Sequence, residues 1–407
     1  MHAQSTSAGA QQRTVDEMTD ITIHGTVEPC FEAVRDAFAQ NFRDGLEVGG
    51  GVCVYQRGKV VVDLWAGHRD AERTTEWTPD TIATTYSNGK GWLATCLNIL
   101  LDRGIIELDA PIAKYWPAFG AHGKDKALVR HALTHSVGLP APSMTVPDDA
   151  IYDFEQMLHY VADSELFWEP GTQTGYHAAT FGWINGGILF GATGMTPGEF
   201  LRREIREPLG ADLFWGLTPA EDPRVATFLQ PVPVAASTEA PPTPTKIQEL
   251  SRQSDMLKKT FNNPPRRWRA ANTVEWRGAI IPASNGHASA RGLARMYAAL
   301  GNGGTLDGVT LMRPETVRAA CTEQVSGTDA IQGVFVRRGF GYSLPTEGDE
   351  RGPGAFGHGG LGGSLGYADL DHGLGFGYIM NQAGAPKDPR AGRLSAALYA
   401  SLGVAAK

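Results

Sequence analysis

The sequence predicts an α+β chain in which one antiparallel sheet is formed by the N- and C-terminal segments, is flanked by helices, and carries an inserted, mostly helical lobe. Three observations predict it. A β-rich hairpin lies near the start, consecutive β-rich runs lie near the end, and helical periodicity dominates between them.

In chain order, residues 1–20 read as a flexible tail, and "EPCFEAVRDAFAQNF" carries apolar residues at helical spacing. The runs "GGGVCVY" and "KVVVDLWAG" flank "QRGK", a hairpin signal with Gly58 at the turn. The stretch "TTYSNGKGWLATCLNILLDRG" turns a polar loop into an apolar helix ending near Arg103. Segments such as "DKALVRHALTHSVG", "DFEQMLHYVAD" and "TPGEFLRREIREPLG" continue the helical pattern to about residue 285. Residues 218–245 are rich in Pro and Ala and read as a long surface loop. Helical pattern returns in "ASARGLARMYAALGNGG" and "RPETVRAACTE". The runs "GVFVRRGFGYSL", "GAFGHGGLGGSLGYADLD" and "GLGFGYIMNQ" read as antiparallel strands, and "AGRLSAALYASLG" as a closing helix. The expected division is therefore 21–86 plus 286–407 for the sheet domain and 87–285 for the lobe, with a cleft between them as the default site.

Composition narrows the partners. The 407 residues carry a formal net charge of −8 and no basic run, which argues against nucleic acid and anionic membrane. No stretch approaches the roughly 18 consecutive apolar residues of a membrane span, and the opening has no apolar signal core, so a soluble, cytoplasmic protein is expected. Cys30, Cys53, Cys96 and Cys321 form no C-x-x-C pair and read as buried reduced thiols.

The chemistry concentrates at "SNGK". Ser87 is the only Ser with a Lys three residues on, and at i and i+3 of a helix their Cβ atoms stand about 5 to 6 Å apart. A Ser hydroxyl becomes a nucleophile when a base takes its proton, and Lys serves where burial or nearby charge lowers its affinity for protons. A helix N-terminus adds free N–H groups and a dipole that favours negative charge. Tyr176, in "GTQTGYHAATFGWINGGIL", offers a further proton carrier. The Gly-rich "FGHGGLGG" offers a strand edge whose backbone can approach a ligand closely.

"SNGK" at 87, "YHA" at 176 and "HGG" at 358 resemble the three motifs of the serine β-lactamase and penicillin-binding superfamily. The class C β-lactamase-like group with family VIII carboxylesterases is most similar. "LTHSVGLP", "GWINGGIL" and "NGHASARGLARMYAALGNGG" extend the resemblance over roughly residues 25 to 400. It implies a β-lactamase-like fold with Ser87 as the acylated nucleophile, Lys90 as its partner in activation and Tyr176 as general base or acid. It also implies an oxyanion hole of the Ser87 and Leu361 N–H groups and a substrate-binding edge at His358, Gly359 and Gly360.

Two departures shape the expected substrate. Ala178 stands where β-lactamases usually carry Asn, and His358 where they usually carry a Lys that binds the β-lactam carboxylate. Both favour hydrolysis of a small-molecule carboxylic ester with a small to medium acyl group. The same acyl-enzyme would serve a β-lactamase, an amidase or D-peptidase, or an acyltransferase, and a non-catalytic scaffold is a further alternative. The oligomeric state stays open. "GGSLG" at 362–366 matches the G-x-S-x-G elbow, but that elbow requires strand, turn and helix, whereas strand follows here, so Ser364 reads as structural. His131 and His135 have the spacing of a zinc pair without the Glu of H-E-x-x-H. No metal and no cofactor are expected.

Overall fold

The computed structural model describes residues 21–231, 254–265, 268–385 and 388–404, with the side chains of 268 and 269 excepted. The expected tail at 1–20 and the 232–245 part of the expected loop lie outside the described residues.

Strands from both chain ends form one antiparallel sheet of nine among the described residues. From the N-terminal side come β1 (His24–Val27), β2 (Gly49–Gln56) and β3 (Lys59–Gly67). A short sheet is made by β4 (Ala83–Tyr86), β5 (Leu213–Phe214) and β6 (Gly286–Ala288), and a small hairpin by β7 (Thr305–Leu306) and β8 (Val309–Thr310). The C-terminal side supplies β9 (Val325–Thr328), β10 (Phe335–Arg338), β11 (Ser343–Leu344), β12 (Ala355–Gly359), β13 (Leu365–Asp369) and β14 (Leu374–Met380). The large sheet runs β1-β3-β2-β14-β13-β12-β11-β10-β9, so β2 and β14 join the two ends.

The expected hairpin forms with Gln56 opposite Lys59. Arg57 and Gly58 both take positive φ, at 49° and 79°, as a two-residue turn matched to sheet twist requires.

Alternation along β14 places different chemistry on its two faces. Gly375 and Gly377 face the helix Ala290–Gly301, where a Cβ would lie 2.2 Å from the Ala298 nitrogen and 2.5 Å from the Ala290 oxygen respectively. Only glycine admits the helix this close. On the other face Phe376 stacks on Tyr367 at 4.7 Å, and Tyr367 stacks on Tyr399 of the closing helix Arg390–Ser401 at 6.5 Å.

Helix α1 (Glu32–Arg43) packs against that closing helix and buries Val34, Phe38 and Phe42. Helix α2 (Gly89–Asp102) is buried over nearly its whole length, as its continuous apolar sequence demands. It packs against α5 (Thr180–Thr193), and α5 in turn against α3 (Val129–Leu133) and α4 (Phe154–Ala162).

Several expectations need correction. "DKALVRHALTHSVG" supports only the five residues of α3, because Leu128 is extended and His135 and Gly138 take positive φ at 59° and 90°. Strands β1 and β9 and the short sheets escaped the sequence reading; each is four residues or fewer with little alternation to recognise. Cys53 and Cys96 are buried free thiols, but Cys30 is exposed, because in the turn Pro29–Phe31 it is Phe31 that enters the core.

Candidate active site

Strand β4 delivers Ser87. Tyr86 closes the strand with φ of 47°, a left-handed conformation uncommon for a non-glycine residue, and its ring is held edge-on to Phe228 at 5.0 Å. The chain then turns. The Asn88 N–H donates to the Thr85 carbonyl and the Lys90 N–H to the Ser87 carbonyl, so the helix proper starts at Gly89, two residues beyond Ser87.

The Lys90 side chain is fully buried, and its Nζ donates to Ser87 Oγ at 3.0 Å and to the Ala283 carbonyl at 3.0 Å. Tyr176 lies in the loop before α5, and its hydroxyl donates to Ser87 Oγ, also at 3.0 Å. The Lys90 Nζ stands 4.9 Å from the centre of the Tyr176 ring. Residues 3 and 89 positions away along the chain thus converge on one oxygen.

Buried groups behind it fix the Tyr176 loop. Asp329 Oδ1 accepts from the N–H groups of Tyr176, Ile331 and Gln332 at 3.1, 2.8 and 2.7 Å. Its Oδ2 pairs with Arg338 Nη2 at 2.6 Å, while Arg338 Nη1 donates to Thr174 Oγ1 at 2.6 Å. His135 stacks on Phe181 at 4.6 Å, and its Nδ1 accepts the His177 N–H at 3.0 Å. Burial, then the charge of Arg338, holds His135 well below its ordinary pKa; His131 and His135 thus have separate structural settings, with His131 Nδ1 accepting the Leu128 N–H.

The third segment is the end of β12. His358 is buried with its Nδ1–H donated to the Gly359 carbonyl at 2.6 Å, which leaves Nε2 as an acceptor. Burial, reinforced by the Lys90 charge, pushes its pKa down to about 3, so the ring is neutral at physiological pH. Gly360 abuts the Ser87 turn so closely that a Cβ would sit 2.0 Å from the Thr85 oxygen. Leu361 follows in the turn, with its side chain exposed.

Ser364 is tied into the backbone beneath the Ser87 turn. Its Oγ is buried, accepts Asn88 Nδ2 at 2.9 Å and donates to the Thr85 carbonyl at 3.2 Å, while its carbonyl accepts the Gly360 N–H at 2.7 Å. Strand β13 follows it, not a helix.

A cavity of about 490 Å3 opens over these groups. Ser87, Tyr176, His358, Gly359, Gly360 and Leu361 all line it, whereas Lys90 stands behind Ser87. Its apolar wall includes Ile151, Trp276, Phe335 and Leu344, and Ala178 also lines it. Phe335 comes from the sheet, not the lobe, and the described residues 218–231 do not line the cavity. Sequence reading did not single out Asp329 or Arg338: Asp329 is a lone charge among polar and small residues, and Arg338 is the second of two arginines in a strand-like run, so neither carries a local signal of burial. Among the described residues no cluster of His, Cys, Asp or Glu has the makings of a metal site, and no helix is long and apolar enough to cross a membrane.

An antiparallel sheet from both chain ends, with a buried helix entering beside an S-x-x-K pair, defines the β-lactamase-like fold. A family model described as Beta-lactamase matches residues 38–401, and the chain belongs to that family. It is 34% identical over 372 residues to the esterase/beta-lactamase LipL of Mycobacterium tuberculosis, covering 89% of this chain and 84% of that protein. Among solved structures it resembles a family VIII carboxylesterase at 38% identity with a TM-score of 0.86, over 94% of this chain and 100% of the other. It also resembles a penicillin-binding protein homologue from Caulobacter crescentus at 35% identity and a TM-score of 0.84, over 93% of this chain and 100% of the other.

Proposed function

We propose that this protein is a serine hydrolase that cleaves carboxylic esters through an acyl-serine intermediate. The observation that carries the reading is the convergence of Lys90 Nζ and Tyr176 OH on Ser87 Oγ at 3.0 Å each, at the base of the cavity. As Ser87 Oγ attacks the carbonyl carbon its proton passes to the Lys90–Tyr176 pair, one member of which is deprotonated at that moment. The N–H groups of Ser87 and Leu361 take the developing oxyanion. Tyr176, facing the cavity, returns a proton to the departing alcohol, and a water activated by the same pair then releases the acid.

The ester is favoured over the β-lactam by what surrounds the nucleophile. His358 is neutral where a fixed cation would hold a carboxylate, and Ala178 offers no polar anchor. An ester needs neither group, and the mixed apolar wall suits a small to medium acyl chain. The family VIII carboxylesterase and the esterase/beta-lactamase to which the chain is similar support the same chemistry.

Intact-mass analysis after a fluorophosphonate probe tests the nucleophile on wild type, Ser87→Ala and Ser364→Ala. Labelling should vanish only in Ser87→Ala, together with hydrolysis of a short-chain aryl ester. Labelling that persists in Ser87→Ala would overturn the mechanism, and faster turnover of a chromogenic cephalosporin than of the ester would overturn the substrate.

A further inference from the structure

The proton carrier Tyr176 is not held by its own helix. It sits on a loop, half-buried, and loops by themselves place side chains less tightly than strands do. What stiffens this loop comes from the opposite side of the molecule's sequence, the β9–β10 hairpin at the end of the large sheet. Asp329, at the head of that hairpin's connection, is 1% exposed, and Arg338, at the end of β10, is 5% exposed. A buried charge pair is a costly feature for stability alone, since apolar residues of similar volume usually serve as well.

From this geometry we infer that Asp329 is a positioning residue for the reaction: its carboxylate, oriented by Arg338, fixes the backbone of Tyr176 and so the reach of the Tyr176 hydroxyl to Ser87. The inference rests on the reading of Tyr176 as proton carrier. One oxygen, Oδ1, gathers the N–H groups of Tyr176, Ile331 and Gln332, so the catalytic loop and the hairpin connection share a single acceptor. The other oxygen is aimed by Arg338, whose second nitrogen holds Thr174 two residues before Tyr176. Thr174 is further tied by its hydroxyl to the Thr134 carbonyl at 3.1 Å and by its own carbonyl to the Ala330 N–H at 3.0 Å. The loop is therefore held at Tyr176 itself and again two residues before it. Losing the acceptor at Asp329 frees the nearer hold and lets the hydroxyl drift from Ser87 Oγ, and a misplacement of about 1 Å costs on the order of 10²-fold in rate.

The test separates acceptor from charge. Two double variants, Asp329→Ala with Arg338→Met and Asp329→Asn with Arg338→Met, both remove the ion pair and avoid an unpaired buried cation. They differ in whether an oxygen remains to accept the Tyr176 N–H. The Ala variant should lose about 30- to 100-fold in kcat for an aryl ester with KM changed less than threefold, and the Asn variant should recover to within about fivefold of wild type. Thr174→Val, which keeps Asp329, Arg338 and the fold's charges, serves as the milder probe should a double variant fail to fold; it should lower kcat severalfold without raising KM. Equal rates in the Ala and Asn variants, a wild-type kcat in the Ala variant, or an unchanged kcat in Thr174→Val would overturn the inference. Tyr176→Phe is run beside them: if it keeps wild-type kcat, the reading of Tyr176 itself fails, whereas a collapse there with no loss in the Ala variant sinks the positioning role alone.

Discussion

Replacing Lys90 by Met separates what the buried amine does for folding from what it does for chemistry. The side chain is fully buried, and Met follows most of its stem while removing the nitrogen. Burying an ammonium costs several kcal/mol, and its two hydrogen bonds, to Ser87 Oγ and the Ala283 carbonyl, return about 1.5–3 kcal/mol each. The Ala283 carbonyl loses a partner in the variant, at a further cost of about 1–3 kcal/mol. Relief of the buried charge offsets most but not all of these losses, so the variant should be destabilised by no more than about 4 kcal/mol and remain folded at 25 °C. Activity has no such compensation. Removing a proton carrier in contact with the nucleophile should lower kcat and the fluorophosphonate labelling rate by about 10²- to 10⁴-fold. Calorimetry and labelling kinetics on the same preparation decide it. A folded Lys90→Met enzyme within tenfold of wild-type labelling would show that the S-x-x-K contact is only packing, and the acylation scheme would have to be rebuilt around Tyr176.

Ser364→Ala strips the Thr85 carbonyl of its Ser364 donor and Asn88 Nδ2 of its Ser364 acceptor; it should keep labelling at Ser87 while lowering the melting temperature and reducing kcat by about tenfold, reflecting about 1–3 kcal/mol of lost support. Loss of label with wild-type thermal stability would instead make Ser364 the reacting group. Acid should destabilise the fold early. Burial pushes His177 down to about 4 and His287 and His358 to about 3, so the unfolded chain binds protons near pH 6.5 that the folded chain still refuses. Stability is complete above about 6.5 and falls as pH drops toward the folded values, by about 2 kcal/mol for each ring at pH 5. A melting temperature that stays flat between pH 7 and 5 would contradict the neutral, buried rings.

Ser87, Lys90, Tyr176 and the His358 strand could be read from sequence because each motif joins a reactive residue to a local backbone signal: a helix start, a loop before a helix, a run of glycines. The hairpin at Gly58 was legible for the same reason, since a two-residue turn is decided by its own residues. The shortness of α3 was not, because part of the apolar pattern of "DKALVRHALTHSVG" belongs to the loop that follows α3, whose His135 stacks on Phe181 of α5, and not to helical periodicity. Nor was the exposure of Cys30, which depends on which neighbour the turn sends inward. The strand after Ser364 was legible in its sequence, yet the way Ser364 clasps the Ser87 turn needed the fold to be seen.

The supports share a physical logic that explains why they are hidden. Besides Asp329 and Arg338 behind Tyr176, Arg390 is fully buried and donates to Glu47, Asp388 and the carbonyls of Leu46, Gln382 and Gly362. Gly362 belongs to the turn that carries Leu361, so this network reaches the strand edge opposite Ser87 just as Asp329 reaches Tyr176. In each case a planar guanidinium, able to donate in several fixed directions, is buried where backbone carbonyls or a carboxylate need one shared partner. A sequence shows such an arginine only as a charge, which elsewhere in the chain marks the solvated face. The groups that perform the proposed chemistry are therefore marked by local motifs, while those that hold them in register are specified by contacts between positions such as 47 and 390 that only the closed sheet brings together.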